Sequence, residues 1–106
     1  MFNTHTITDG GNLQGEIPSE ISLLNSIENL IIKNNPGLVG KIPYSLGQMR
    51  ELRQLGLYSN GLSSTIPKNI FQLEELVYLN LSDNNFVGTI PWNEVSLHLK
   101  KMEINI

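Results

Sequence analysis

The chain is 106 residues long, room for one domain with its own core, and a formal net charge of −3 leaves no basic footprint for a nucleic acid. Leu and Ile make up 28 residues and Asn 13, while Ala is absent, which argues against a helical bundle and for many turns. With no cysteine, disulfide frameworks, zinc ribbons and thiol chemistry are excluded. No run approaches the ~18 apolar residues of a membrane span. The opening Met1-Phe2-Asn3-Thr4-His5-Thr6 lacks the basic start and apolar run of a signal peptide, so an export signal or anchor is expected outside this chain.

Taken along the chain, the predicted elements repeat. The first unit, about residues 2–26, is the weakest. Phe2, His5, Ile7 and Leu13 hold its ladder positions and Gly10 stands where later units have Asn, followed by Gly15, Ile17-Pro18, Ile21 and Leu24. The second, 27–51, reads Ile27, Leu30, Ile32, Asn35, Leu38, Gly40, Ile42-Pro43, Leu46 and Met49, with one extra residue around Pro36-Gly37. The third, 52–75, reads Leu52, Leu55, Leu57, Asn60, Leu62, Ile66-Pro67, Ile70 and Leu73, with Ser64 in place of the Gly. The fourth, 76–98, reads Leu76, Leu79, Leu81, Asn84, Phe86, Gly88 and Ile90-Pro91, then Glu94 at an otherwise apolar step. A partial unit, 99–106, keeps Leu99, Met102 and Ile104. The Ile-Pro pairs are spaced by 25, 24 and 24 residues, the signature of a stacked repeat.

The ladder L-x-x-L-x-L-x-x-N-x-L, continued by Leu38-Val39-Gly40-Lys41-Ile42-Pro43 and Phe86-Val87-Gly88-Thr89-Ile90-Pro91, resembles the plant-type leucine-rich repeat family over almost the whole chain. The resemblance implies a β-rich α/β repeat solenoid, right-handed and curved, forming a single domain over residues 1–106. A parallel sheet would line its concave side and short 3₁₀ or irregular turns its convex side. It also implies an extracellular protein or the ectodomain of a membrane protein, with a protein, peptide or glycan bound by the concave face and its flanks. The family's cysteine-containing end caps are missing here.

The residue chemistry is consistent with that picture. Alternation sends Leu55 and Leu57 inward and Gln54, Gly56 and Tyr58 outward. Asn35, Asn60 and Asn84 end the strands and are expected to bond backbone groups left unpaired by the turning chain. Gly15, Gly40 and Gly88 permit the next turn. Pro18, Pro43, Pro67 and Pro91 can start short helical turns, from which Ile21, Leu24, Leu46, Met49, Ile70 and Leu73 point inward at steps of three. Trp92 reads as a crude cap over the end of the core or as a partner contact, with the cap preferred.

The outward strand positions form three columns. Asn29, Gln54 and Tyr78 make the first, Ile31, Gly56 and Asn80 the second, Lys33, Tyr58 and Ser82 the third. These nine residues are the candidate binding face, extended by Thr4, Thr6 and Thr8 before them and by Lys101, Glu103 and Asn105 after them. Ile31 beside Gly56, with Tyr58 diagonal to both, makes an apolar spot with a polar handle. Tyr58 and Tyr78 are four residues apart in phase, roughly 13 Å along the strand direction, so they anchor separate parts of an extended partner. The face has no Arg pair to hold a peptide carboxylate.

Catalytic signals are missing. His5 and His98 lie in separate terminal units without Cys or carboxylate clusters, so neither a metal nor another cofactor is expected. No nucleophile elbow or Ser/His/Asp set is visible, and the glycines follow the repeat rather than a phosphate loop. The protein is therefore expected not to be an enzyme. Asn80-Leu81-Ser82 is the one glycosylation sequon, although L-x-L-S is also what the repeat itself writes. Two roles compete: a recognition module using the concave face, and a structural spacer or assembly repeat, with no ligand of its own, whose open ends associate with one another.

Overall fold

The computed structural model describes the backbone of residues 4–7 and 11–106 and the side chains of 11–106. Expectations for Phe2, Thr8 and Gly10, and for the side chains of Thr4, His5, Thr6 and Ile7, lie outside the described residues.

Each unit lays down two short strands in succession: β1 (Thr4–Ile7) and β2 (Gly15–Glu16), β3 (Asn29–Ile32) and β4 (Asn35–Gly40), β5 (Gln54–Gly56) and β6 (Asn60–Thr65), β7 (Tyr78–Asn80) and β8 (Asn85–Val87), then β9 (Lys101–Glu103). The first strands pair in parallel in the order β1-β3-β5-β7-β9 and form the concave sheet. The register runs Asn29↔Gln54↔Tyr78↔Lys101 and Ile31↔Gly56↔Asn80↔Glu103. Inward Leu30, Leu55, Leu57 and Leu79 are fully buried, as alternation requires.

The second strands form their own parallel sheet, β2-β4-β6-β8, which the sequence pattern did not announce. The L-x-G stretch is too short to display an alternation, and its pairing depends on the unit beside it. The extra residue of the second unit is absorbed here, because the β4–β6 register jumps between Asn35 and Val39, a bulge around Pro36-Gly37.

Between the sheets stands the asparagine ladder. Asn60 accepts at Oδ1 from the Asn35 N–H and donates from Nδ2 to the Ile32 carbonyl, both at 3.0 Å. Asn84 accepts from the Leu62 N–H at 3.1 Å and donates to the Leu57 carbonyl at 2.7 Å. Asn35 accepts from the Leu13 N–H at 3.1 Å. Each rung thus satisfies backbone groups of the unit before it. The residue preceding each rung, Asn34, Ser59 or Asp83, takes a left-handed φ of 61°, 59° or 57°. Gly15, Gly40 and Gly88 are also left-handed, and Ser64 adopts φ 68° in the same place.

On the convex side each Ile-Pro pair leads into a 3₁₀ turn: Ser19–Leu23, Tyr44–Gln48, Lys68–Ile70 and Trp92–Glu94. The prolines stand just before the first turn residue, and their carbonyls accept from Ile21, Leu46, Ile70 and Glu94. Ile21, Leu46, Met49, Ile70 and Leu73 are buried, but Leu24 is 41% exposed. It ends the first turn, which among the described residues has a neighbouring turn, Tyr44–Gln48, on one side only. Trp92 is 68% exposed and covers no core, and Glu94 turns outward to meet Lys68 at 3.0 Å. Arg53 joins the second and third units on one flank, with Glu28 at 3.5 Å and Glu75 at 3.6 Å.

Candidate binding face

The concave sheet brings seven of the nine predicted residues into two neighbouring groups. The first group centres on Gly56. A Cβ at this position would lie 3.0 Å from Ile31 Cδ1 and 3.1 Å from Tyr58 Cε1, so the Ile31 side chain and the Tyr58 ring fold over the bare backbone and bury it. The Lys33 ammonium stands 6.0 Å from the Tyr58 ring centroid, within cation–π range. Ile31, Lys33 and Tyr58 remain half-exposed, an aliphatic and aromatic surface with a cation at its edge.

The second group is polar and fully connected. The Tyr78 hydroxyl donates to Glu103 Oε2 at 3.1 Å and accepts from Asn80 Nδ2 at 3.0 Å. Asn80 Oδ1 accepts from the Ser82 N–H at 3.0 Å and from the Ser82 hydroxyl at 2.6 Å. Lys101 Nζ lies 5.8 Å from the Tyr78 ring centroid. Burial raises the Tyr78 pKa above its ordinary 10.0; the Asn80 hydrogen bond opposes this, while the Glu103 hydrogen bond, the Glu103 charge and the Tyr58 phenol reinforce it.

Gln54 is exposed beside these groups, and Asn29 is half-buried at the head of β3. Asn80 is only 8% exposed, with both carboxamide atoms engaged, so the sequon is closed in the folded chain. Lys101 and Glu103 complete the second group, although the candidate residues stopped at the fourth unit. Their signal was the column arithmetic itself, which put them on the same rungs as Tyr78 and Asn80.

The larger cavities among the described residues lie elsewhere. One of about 700 Å³ sits on a flank between successive turns, lined by residues including Gly47, Arg50, Glu51, Asn69 and His98. The other, about 520 Å³ and mainly apolar, opens beside the first 3₁₀ turn among Leu13, Ile17, Ile21, Leu23 and Leu24. Neither opens on the concave sheet, whose outward surface is a face rather than a pocket. Among the described residues no group of three His, Asp or Glu side chains is placed to hold a metal ion, and no helix is long and apolar enough to cross a membrane.

The Leucine Rich Repeat family model matches residues 51–73 and 75–97. The structure superposes on a chain of the BIR3–SERK2 complex from Arabidopsis thaliana with a TM-score of 0.74 and 30% identity, covering 88% of this chain and 53% of that one. These are leucine-rich repeats of the plant type. The BIR2 ectodomain from Arabidopsis thaliana is similar as well, with a TM-score of 0.70 and 27% identity, covering 84% of this chain and 50% of that one. The chain thus spans about half the length of these leucine-rich repeat structures. No curated protein matches it. A leucine-rich repeat solenoid of this kind is a protein-interaction module.

Proposed function

We propose that the chain is a non-catalytic recognition segment of an extracellular leucine-rich repeat array, holding a protein or peptide partner on its concave face. The observation that carries this reading is the pairing of Ile31 and Tyr58 over Gly56. It presents an apolar, aromatic-edged surface next to the hydrogen-bonding set of Tyr78, Asn80 and Glu103. A side chain with an apolar body would rest on the first group while its backbone amides meet the second, as aromatic anchors do in other interfaces. The ectodomain likeness supports the extracellular placement. A glycan partner remains the alternative ligand, and the array acts without catalysis of its own.

The test pans a displayed random-peptide library and a glycan array against the immobilised chain, with purified SERK2 as a protein probe. The expected result is capture that Tyr58→Ala with Ile31→Ser abolishes while thermal unfolding stays cooperative. Capture unchanged in the double variant would overturn the concave-face reading.

A second reading, end-to-end assembly, is favoured by a different observation. The apolar cavity beside Leu23 and Leu24 lies at the first unit, and Leu97 and Ile106 are exposed in the last two. Sedimentation across a concentration series separates the two readings: assembly predicts a mass that grows with concentration and falls back in Ile104→Lys, and a constant mass removes it.

A further inference from the structure

Asn60-Gly61 is the one Asn–Gly pair in the sequence, and the fold explains why it stands there. Asn60 is a rung of the ladder. Gly61 faces the backbone of the preceding unit, where a Cβ would lie 2.7 Å from the Pro36 carbonyl oxygen and 3.1 Å from that of Leu38. The crowding comes from the extra residue of the second unit, whose bulge lies between the pairs Asn35↔Asn60 and Val39↔Gly61. Asn84 is followed by Asn85 instead, and the third unit lacks the extra residue that the second carries at Pro36-Gly37. Steric demand places a glycine after Asn60, and a chemically labile dipeptide comes with it.

We propose that Asn60 is a deamidation site that the native fold keeps shut and that opening of the junction between the second and third units exposes. In the open chain the Gly61 nitrogen gives up its proton and attacks Asn60 Cγ. The new N–Cγ bond closes a cyclic imide, the Cγ–Nδ2 bond breaks, and ammonia leaves with the proton. Water then opens either imide carbonyl to give aspartate or isoaspartate at position 60. Glycine promotes the attack because no side chain shields its nitrogen.

In the folded chain the same atoms are occupied. Nδ2 donates to the Ile32 carbonyl, Oδ1 accepts from the Asn35 N–H, and the residue is 7% exposed. Ring closure needs the carboxamide freed and residue 60 rotated out of the extended strand, so it waits on local opening. The product does not restore the rung. An aspartate carboxylate has no hydrogen to donate to the Ile32 carbonyl, and isoaspartate lengthens the backbone by one carbon and breaks the register with Asn35. Deamidation is therefore one-way for the fold, and the bond lost is the one to the Ile32 carbonyl, next to Ile31.

The test incubates the chain at mildly alkaline pH in native buffer and in urea, and follows each asparagine by peptide mapping with isoaspartate detection. In urea, position 60 should convert first; in native buffer its conversion should be slower by about tenfold or more. Equal rates in the two buffers would overturn the protection, and another asparagine converting first in urea would overturn the site. Asn60→Asp should unfold at a lower denaturant midpoint than wild type or fail to fold. An unchanged midpoint would overturn the one-way character.

Discussion

Tyr78 and Glu103 are joined by a 3.1 Å hydrogen bond from the phenol to the carboxylate, which ties β7 to β9 across the concave face. Burial and this bond favour the protonated phenol in the native state, so its pKa is raised above 10.0. The sign follows by linkage. The stabilisation is complete below pH 10, where folded and unfolded chains both keep the proton, and is lost as pH rises through the folded value. Phenolate absorbance should show a late titration step, and Tyr78→Phe should remove it. The variant should also lose stability less steeply above pH 10. An unchanged late step in Tyr78→Phe would contradict the assignment.

The inward register has its own control. Leu57 is fully buried, so Leu57→Ala should cost roughly 2–5 kcal/mol in denaturant unfolding. Gln54, exposed on the concave face, should cost well under ~1 kcal/mol when changed to Ala. Equal losses would refute the inward and outward assignment of residues 54 and 57.

Ser64 holds a left-handed φ of 68° where the other units use glycine. Ser64→Gly should raise stability by about 0.5–1 kcal/mol, the left-handed strain removed less the added freedom of the unfolded glycine. Gly40→Ala should go the other way, since φ is 82° and a Cβ would strike the Glu16 side chain at 2.7 Å. Matching thermal shifts for the two substitutions would contradict both.

Gly47 has a packing role. A Cβ there would collide with the Asn69 carboxamide, whose Nδ2 donates to the Tyr44 carbonyl at 3.0 Å. Gly47→Ala should displace that side chain and cost about 1–3 kcal/mol. In Asn69→Ala the same glycine substitution should cost much less, and a double-mutant cycle measures the coupling. Strict additivity would rule out the collision as the cause.

The repeat was legible because its residues act alone. Leu30, Leu55 and Leu79 are buried wherever the period puts them, and Asn35, Asn60 and Asn84 carry their own donors and acceptors. What escaped depends on neighbours. The second sheet is written in the pairing of adjacent units, not in the residues of one. The left-handed turns at Asn34, Ser59 and Asp83 had a partial signal, since Asn and Asp tolerate that conformation, but Ser59 hid the column. Phe71 is buried although the steps of three skip it, because the third turn closes early, with the Phe71 N–H bonded to the Lys68 carbonyl at 3.0 Å. Leu24 and Trp92 were read by type, yet their exposure is set by which unit stands beside them. On the candidate face the columns held in register, whereas the lean of Tyr58 over Gly56 and of Tyr78 toward Glu103 is a matter of rotamer.

Stacking one unit on the next aligns every bond that joins them. The strand pairs of both sheets and the asparagine rungs all point along the axis of the stack. A force pulling the two ends apart therefore loads those bonds in straight tension, one interface after another, instead of shearing many at once. The solenoid should yield like a spring, opening first at its weakest interface while the other units keep their shape. Under load, an array built this way should lengthen one unit at a time before it unfolds as a whole.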